Sequence, residues 1–258
     1  MNVHLNKVVI ITGASSGIGA STAIKFTSEG AKVVMVGRNE TKLKNVSGKC
    51  ENVGHKPLVI AADITEDENV KRIIDSTLDK YGKLDVLVNN AGILGKKVTL
   101  PESECVELYD RVLATNLRAA VVLSSLAVPH LIKTKGNIIN ISSIAGTNPI
   151  SINFPYCVSK AGLNHFTKCI AYHLGPMGVR ANCVSPGPVK TDIIENNIER
   201  VGIKEQMTLS AVKTTVLNRV SEAEEVADVI SFVASEAAKC ITGAILLADN
   251  GACLKGSK

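Results

Sequence analysis

The sequence predicts a doubly wound α/β fold, in which helices cover both faces of a parallel sheet. Short apolar runs rich in Val and Ile recur along the chain, and amphipathic stretches separate them, as expected of repeated strand–helix–strand units. The length of 258 residues suits one domain of this class, and no proline-rich or low-complexity stretch divides it. We therefore predict a single domain over residues 1–258.

The apolar runs predict seven strands. These strands cover residues 8–12, 32–36, 57–62, 84–89, 137–142, 180–185 and 244–247. Between the third and fourth, the stretch 70–81 places its apolar side chains on one helical face, and Gly82 provides a stop signal. A long helix is predicted over 104–131, and another helix should begin at Pro155 and end at Gly175.

The composition argues against several classes of protein. A net charge of +5 and an aromatic content of 3% give no basic, aromatic surface for nucleic acid. The seven cysteines form no CxxC pair and the five histidines lack paired metal-ligand spacing, which argues against a disulfide framework and a metal site. The sequence contains no stretch of about 18 uncharged apolar residues, so it predicts no membrane span. We therefore expect a cytoplasmic protein without a metal, membrane or nucleic-acid partner.

A glycine-rich turn follows the first predicted strand and leads into an amphipathic helix. Glycines at such a turn let the backbone bend tightly and approach a pyrophosphate, whose charge faces the free N–H groups of the helix N-terminus. Their spacing is GxxxGxG, and glycines at this point could also serve only to turn the chain. The candidate phosphate-binding residues are Gly13, Ser15, Ser16, Gly17, Ile18 and Gly19.

Tyr156 and Lys160 lie four residues apart at the start of a predicted helix, so their side chains share one face. An ammonium group near the phenol would lower the pKa of the tyrosine from about 10 and make it a usable acid, although an isolated pair of this kind is usually a surface pair. Ser143 follows the fifth strand at the carboxyl end, where open parallel sheets bind ligands. Strand alternation points the neighbouring Ser142 the other way, and we assign it to structure.

Together these motifs resemble the short-chain dehydrogenase/reductase family, in its branch of about 250 residues. The resemblance covers essentially the whole chain, and its motifs occur in the order and spacing of the family. They are TGASSGIG at 12–19, NNAG at 89–92, Asn116, Ser143, the YxxxK of Tyr156 and Lys160, and Pro186-Gly187.

The resemblance implies a seven-stranded Rossmann fold and a role for each of these residues. It implies that Tyr156 is the general acid/base, that Ser143 and Tyr156 bind the substrate oxygen, and that Lys160 contacts the nicotinamide ribose. It also implies that Asn116 orders a water in a proton relay, whereas the residue alone would suggest a structural asparagine. The further cofactor contacts that it implies are Asp63, Ile64, Asn90, Ala91, Gly92, Pro186, Gly187, Val189 and Thr191.

The end of the second strand predicts which cofactor is bound. NAD-specific folds place an acidic residue there for the adenosine ribose, and its charge repels a 2′-phosphate. This chain has Gly37 instead, followed by Arg38 and Asn39. A guanidinium can bind a phosphate bidentately, so the sequence predicts NADP(H). Alternatively, Arg38 is a solvated loop residue balanced by Glu40.

We therefore predict an NADP(H)-dependent oxidoreductase that transfers a hydride between nicotinamide and a carbonyl or alcohol substrate, with a hydrophobic ketone or aldehyde as the expected substrate. The alternatives are an NAD-dependent alcohol dehydrogenase of the same fold and a catalytically silent dinucleotide-binding protein. A segment at about 191–220 is the predicted substrate loop. The other candidate walls of the substrate site are largely apolar and are Leu94, Ile144, Ala145, Asn148, Ile150, Phe154 and Pro188. The family resemblance also implies a homotetramer that packs through the helices at 104–131 and from Pro155.

Overall fold

The computed structural model describes residues 2–96, 98–100, 102–149, 153–191 and 210–255. They form a seven-stranded parallel sheet with the strand order β3-β2-β1-β4-β5-β6-β7. The strands are β1 (Val8–Thr12), β2 (Lys32–Gly37), β3 (Leu58–Ala61), β4 (Val86–Asn89), β5 (Asn137–Ile141), β6 (Arg180–Pro186) and β7 (Ile245–Ala248). The predicted fold class is confirmed, and each predicted strand matches an observed one to within two residues at either end.

The sheet is buried on both faces, which explains its continuous apolar strands. All five residues of β1 are buried, and their side chains alternate between two core clusters. Val9 and Ile11 pack in the cluster that contains Phe26, while Ile10 packs in the cluster that contains Leu123. A strand that is buried on both faces needs apolar side chains at every position, unlike the alternating pattern of a half-exposed strand.

The helices pack around this sheet. They are α1 (Gly17–Ser28), α2 (Glu40–Glu51), α3 (Asp67–Tyr81), α4 (Cys105–Leu113), α5 (Ala119–Thr134), α6 (Phe154–Leu174), α7 (Ala223–Ala234) and the short α8 (Ala252–Lys255). The helix predicted before Gly82 is α3, and Gly82 ends it in the left-handed conformation with φ 73°. The helix predicted from Pro155 is α6, and Pro155 lies in its first turn.

The predicted helix 104–131 differs from the structure in one respect. It is interrupted by a π-helical segment, Ala114–Arg118, which joins α4 to α5, and α5 continues to Thr134. The continuous helix Cys105–Thr134 is long and apolar enough to cross a membrane by length and composition, a test that core helices of soluble proteins also pass. Here α5 packs on α3 and on strands β4 and β5.

The order of the strands places a ligand-binding crevice at one edge of the sheet. β1 pairs with β2 on one side and with β4 on the other, so successive strands are added in one direction up to β3 and in the opposite direction from β4 onward. Open α/β sheets bind ligands outside the carboxyl ends of the strands at such a switch point. Of the predicted substrate loop at about 191–220, residues 192–209 lie outside the described residues, as does the predicted wall residue Ile150.

Candidate active site

The glycine-rich turn after β1 is packed too closely for side chains. A Cβ on Gly19 would lie 2.3 Å from the Gly13 carbonyl oxygen and 2.5 Å from Asn90 Nδ2. Gly13 and Gly17 have φ values of +66° and +52°, in the left-handed region that favours glycine. A Cβ on Gly17 would also lie 3.0 Å from Thr191 Cγ2, so the segment after β6 packs against this turn.

The NNAG segment after β4 is fastened to the same turn. Thr12 Oγ1 accepts hydrogen bonds from the backbone N–H groups of Asn90 and Ala91, both at 3.0 Å. Asn90 Nδ2 donates to the Thr12 carbonyl oxygen at 2.8 Å. Gly92 follows, where a Cβ would lie 3.4 Å from both Lys160 Nζ and Asn116 Oδ1. The turn and the NNAG segment therefore form one rigid surface that leads toward Lys160.

The first turn of α1 suits a pyrophosphate. Ser16 is the N-cap residue, yet its side chain makes no capping hydrogen bond, and no acidic residue occupies the first turn. No carboxylate of this turn therefore opposes an anion at the first backbone N–H groups of the helix, and the helix dipole favours an anion there. Ser15 lies beside β2, because a Cβ on Gly37 would be 3.5 Å from Ser15 Oγ. These residues fit the phosphates of a dinucleotide.

Two predicted adenosine contacts form an ion pair. Arg38 Nη1 lies 3.7 Å from Asp63 Oδ2, and both side chains are partly exposed. Asp63 Oδ1 accepts hydrogen bonds from the backbone N–H and hydroxyl of Thr65 at 3.0 and 2.8 Å. Burial alone would raise the pKa of Asp63, but the hydrogen bonds from Thr65, together with Arg38, hold it below its ordinary value.

The two remaining predicted contacts near this ion pair have structural partners. Asn39 Oδ1 accepts a hydrogen bond from the Lys42 backbone N–H at 2.9 Å and so caps α2. Ile64 packs against the core cluster that contains Ile10. Ile64 and the Asn39 cap therefore help to fix the backbone on either side of Arg38 and Asp63.

Ser143 and Tyr156 meet at the carboxyl end of β5. Tyr156 is 9% exposed, Ser143 lies two residues beyond the end of β5, and a hydrogen bond with the Ser143 side chain acts to lower the pKa of Tyr156. Ser143 Oγ also accepts a hydrogen bond from the Ala145 backbone N–H at 3.2 Å. Ser142 is buried and donates to the Lys160 carbonyl oxygen at 3.1 Å, in keeping with the structural assignment made from strand alternation. The structure thus brings two hydroxyl groups together where a substrate oxygen can bind both.

Lys160 lies beside the tyrosine but does not lower its pKa. Its Nζ is 5.6 Å from the centroid of the Tyr156 ring and donates to the Ile141 carbonyl oxygen at 2.8 Å. Burial lowers the pKa of Lys160 to about 8 and raises the pKa of Tyr156 to about 12, although the hydrogen bond with Ser143 opposes the latter shift. The lowered tyrosine pKa expected from the sequence is therefore wrong for this structure, since burial of the phenol outweighs its favourable interactions.

Asn116 lies within the π-helical segment and is 1% exposed. Its Oδ1 accepts a hydrogen bond from the Ile93 backbone N–H at 2.8 Å, and its Nδ2 donates to the Ile93 carbonyl oxygen at 2.9 Å and to Ser159 Oγ at 3.1 Å. Asn116 therefore makes the backbone hydrogen bonds expected of a structural asparagine, and it makes them to Ile93, which lies outside the helix. π-Helical turns inside α-helices occur frequently at functional sites.

The segment after β6 closes the site on its other side. The Gly187 backbone N–H donates to the Ala248 carbonyl oxygen at 3.1 Å, which extends the pairing of β6 and β7 beyond Pro186. Val189 then forms a parallel bridge with Ser221. Two residues later Thr191 contacts Gly17, so this segment spans the opening between the carboxyl end of β6 and the glycine-rich turn.

Sequence reasoning missed two residues that hold the site together. Thr12 joins the glycine-rich turn to the NNAG segment, and its signal was its place as the first residue of the TGASSGIG motif, to which no role was given. Asn153 is 1% exposed and accepts a hydrogen bond from the Tyr156 backbone N–H at 3.3 Å. An asparagine two residues before a proline at the start of a helix is a recognisable N-cap pattern, so Asn153 could have been predicted as a cap.

Known proteins resemble this chain in sequence and share its fold. A family model described as enoyl-(acyl carrier protein) reductase matches residues 13–253. A crystal structure of a short-chain dehydrogenase/reductase of unknown function from Caenorhabditis elegans with cofactor superimposes with a TM-score of 0.91, at 32% identity, over 98% of this chain and 97% of that one. The chain belongs to the short-chain dehydrogenase/reductase family and is an oxidoreductase of that family.

Curated relatives of similar length carry different substrate names. The chain is 34% identical to the 3-oxoacyl-(acyl-carrier-protein) reductase of Thermotoga maritima, over 95% of this chain and 97% of the relative. It is 36% identical to the 7alpha-hydroxysteroid dehydrogenase of Bacteroides fragilis, over 97% and 96%. It is 34% identical to the L-fucose dehydrogenase of Bos taurus, over 96% and 90%. These relatives are similar to this chain at nearly equal levels, so they do not select one substrate.

Proposed function

We propose that this protein is an NADP(H)-dependent reductase of hydrophobic ketones or aldehydes, able to run in reverse as an alcohol dehydrogenase. The observation that carries the proposal is the group formed by the buried Tyr156 and Lys160 and the half-buried Ser143, which lies beside a glycine-rich turn that suits a pyrophosphate. When bound, the nicotinamide would supply or accept the hydride. The protein would then have to bind the substrate oxygen and move one proton.

Tyr156 is the proposed proton donor in the direction of reduction. Because burial raises the pKa of Tyr156 to about 12, the phenol remains protonated throughout the physiological pH range and is ready to donate to a carbonyl oxygen. Ser143 would hold the same oxygen, and its hydrogen bond with the Tyr156 side chain supports this role. Lys160, with a pKa of about 8, would be largely charged at neutral pH and able to donate hydrogen bonds to the cofactor.

The proposed cofactor contacts follow the crevice from the adenosine to the nicotinamide end. Arg38 and Asp63 would hold the adenosine end, and the turn at 13–19 would hold the pyrophosphate. Lys160 would contact the nicotinamide ribose, and the proposed relay water would lie near Asn116. The remaining proposed contacts are Asn39, Ile64, Asn90, Ala91, Gly92, Pro186, Gly187, Val189 and Thr191.

The proposed substrate class rests on the walls that the structure describes. The proposed wall residues Leu94, Ile144, Phe154 and Pro188 are apolar and half-buried, whereas a sugar would need several polar partners. The relatives named for 3-oxoacyl and steroid substrates favour an apolar substrate, whereas the relative named for L-fucose favours a sugar.

A panel of carbonyl compounds tests the proposal. NADPH oxidation is followed with 3-oxoacyl thioesters, oxosteroids, aliphatic ketones, aldehydes and quinones, and NADP⁺ reduction with the corresponding alcohols and with L-fucose. We expect turnover with members of the apolar set and preference for NADPH over NADH. Turnover confined to L-fucose would overturn the substrate class, and binding of NADPH without any turnover would favour a catalytically silent protein.

We further propose a cytoplasmic homotetramer. The outer faces of α5 and α6 expose apolar side chains, among them Val121, Leu126 and Val158, which are 37%, 38% and 44% exposed. Apolar positions on neighbouring helices are typical of surfaces that are covered in an oligomer. Light scattering should give a mass near four chains at micromolar concentration, and a 27.2 kDa particle would contradict the tetramer.

A further inference from the structure

Asn153 uses both ends of its buried side-chain amide, and the two ends serve different parts of the site. Its Oδ1 accepts the Tyr156 backbone N–H at 3.3 Å and caps α6. Its Nδ2 donates to the carbonyl oxygens of Leu94 and Lys96 at 2.6 and 2.8 Å. One amide group thus joins the start of the helix that carries Tyr156 to the loop that follows the NNAG segment.

Among side chains no longer than asparagine, only the amide can make this set of hydrogen bonds. Asp, Ser or Thr would cap the helix equally well, because capping requires only an acceptor oxygen. The two bonds to backbone carbonyls require two hydrogens on one nitrogen, which the shorter alternatives to asparagine do not provide. The two hydrogen bonds to the loop carbonyls, and not the helix cap, therefore explain why residue 153 is an asparagine.

The loop of residues 93–96 is held at successive peptide groups by two asparagines. Asn116 binds both the N–H and the carbonyl oxygen of Ile93, and Asn153 binds the next carbonyl oxygen and the one at Lys96. Gly95 lies between them with φ +76°, and a Cβ there would lie 3.0 Å from both Asn153 Nδ2 and Leu108 Cδ1. The loop is thus fixed tightly between α4 and α6.

We propose that Asn153 is a positioning residue that fixes the 93–96 loop, and with it the Leu94 side of the substrate space, relative to the Tyr156 hydroxyl. This inference rests on the proposed reductase function. Its consequence is that Asn153 determines how well the substituent beside the substrate carbonyl is accepted, while the cofactor surface formed by Gly13 and Asn90 does not depend on it.

The test separates the loop bonds from the helix cap. Asn153→Asp keeps an acceptor oxygen for the cap, removes both donors and places a carboxylate against two carbonyls. Asn153→Ser keeps a neutral capping oxygen and removes the donors, so it serves if the first variant folds poorly. The matched control is Asn137→Asp, because Asn137 is 3% exposed and its Nδ2 donates to the Val233 carbonyl oxygen at 2.9 Å, at the amino end of β5 and away from the site.

We expect the carbonyl KM of both Asn153 variants to rise at least tenfold, with kcat lowered by a smaller factor and the NADPH Kd within threefold of the unmodified protein. The control should lose a similar amount of thermal stability with KM unchanged. Since a merely structural loss lowers the active fraction and therefore kcat, an unchanged KM in both Asn153 variants, or an equal rise in the control, would overturn the proposal.

A second measurement does not depend on turnover. Hydrogen exchange of a peptide that covers the 93–96 loop should become faster in Asn153→Asp and Asn153→Ser but not in Asn137→Asp. If the unmodified protein turned over no carbonyl compound, the proposed function would fail, and this measurement would still decide whether Asn153 holds the loop. Unchanged exchange in both variants would contradict it.

Discussion

Replacing Gly37 and Arg38 should reverse the cofactor preference of this enzyme. The pair of substitutions is Gly37→Asp with Arg38→Leu, which introduces a carboxylate for the adenosine ribose and removes the guanidinium. A Cβ on Gly37 would meet Leu43 Cδ2 and Ser15 Oγ at 3.5 Å, an ordinary van der Waals distance, so the backbone has room for a Cβ at this position. The change therefore tests recognition and leaves the fold intact.

The magnitude follows from two opposing contributions at Arg38. A charge-assisted hydrogen bond to a phosphate contributes about 1.5–3 kcal/mol. Its present partner, Asp63, is 3.7 Å away and partly exposed, and a pair of that kind contributes at most about 1 kcal/mol, which binding a phosphate would forfeit. With that 1 kcal/mol subtracted, the net preference is about 0.5–2 kcal/mol, which corresponds to roughly two- to thirtyfold in favour of NADPH over NADH.

The assay compares kcat/KM for NADPH and for NADH at one fixed carbonyl substrate and constant ionic strength. We expect the unmodified protein to favour NADPH by the factor above and the double variant to favour NADH. Arg38→Leu alone should abolish most of the preference without creating the opposite one. Equal or better kcat/KM with NADH in the unmodified protein would refute the argument and identify Arg38 as a solvated residue of the loop.

Two further predictions concern the glycine-rich turn and Lys160. Gly19→Ala should lower NADPH affinity at least tenfold and cost about 1–3 kcal/mol of stability, because its Cβ would lie 2.3 Å from the Gly13 carbonyl oxygen. The control Gly37→Ala should leave the melting temperature nearly unchanged. Equal melting temperatures of the two variants by calorimetry would contradict this prediction. Reduction should also lose kcat/KM above about pH 8, since the lowered pKa of Lys160 means that its ammonium is lost as the pH rises through that value. A flat profile up to pH 10 would show that this charge is not needed.

Local patterns were sufficient to predict the fold. The strands of a sheet buried on both faces are continuous apolar runs, and β1 at Val8–Thr12 was predicted at its observed bounds. Helix α3 was predicted from one apolar face and the stop at Gly82. Such signals are local, because periodicity and turn chemistry involve residues that are close along the chain.

The parts of the site that depend on distant contacts were harder to predict. The π-helical segment at Ala114–Arg118 has no periodic signature, and the buried Asn116 inside it finds its partner, Ile93, 23 residues away in the chain. The pKa of Tyr156 was expected to fall on the evidence of the Lys160 spacing, but spacing does not report burial. The loop bonds of Asn153 likewise join residues 57 and 59 positions apart.

The most direct test of the account is turnover by Tyr156→Phe. The substitution removes one hydroxyl group and no ring packing, so NADPH affinity measured by cofactor fluorescence should stay within a few-fold of the unmodified protein. Turnover of the best carbonyl substrate should fall by about two to four orders of magnitude, the usual contribution of a positioned general acid. Turnover close to that of the unmodified protein, with cofactor binding intact, would show that Tyr156 does not donate the proton.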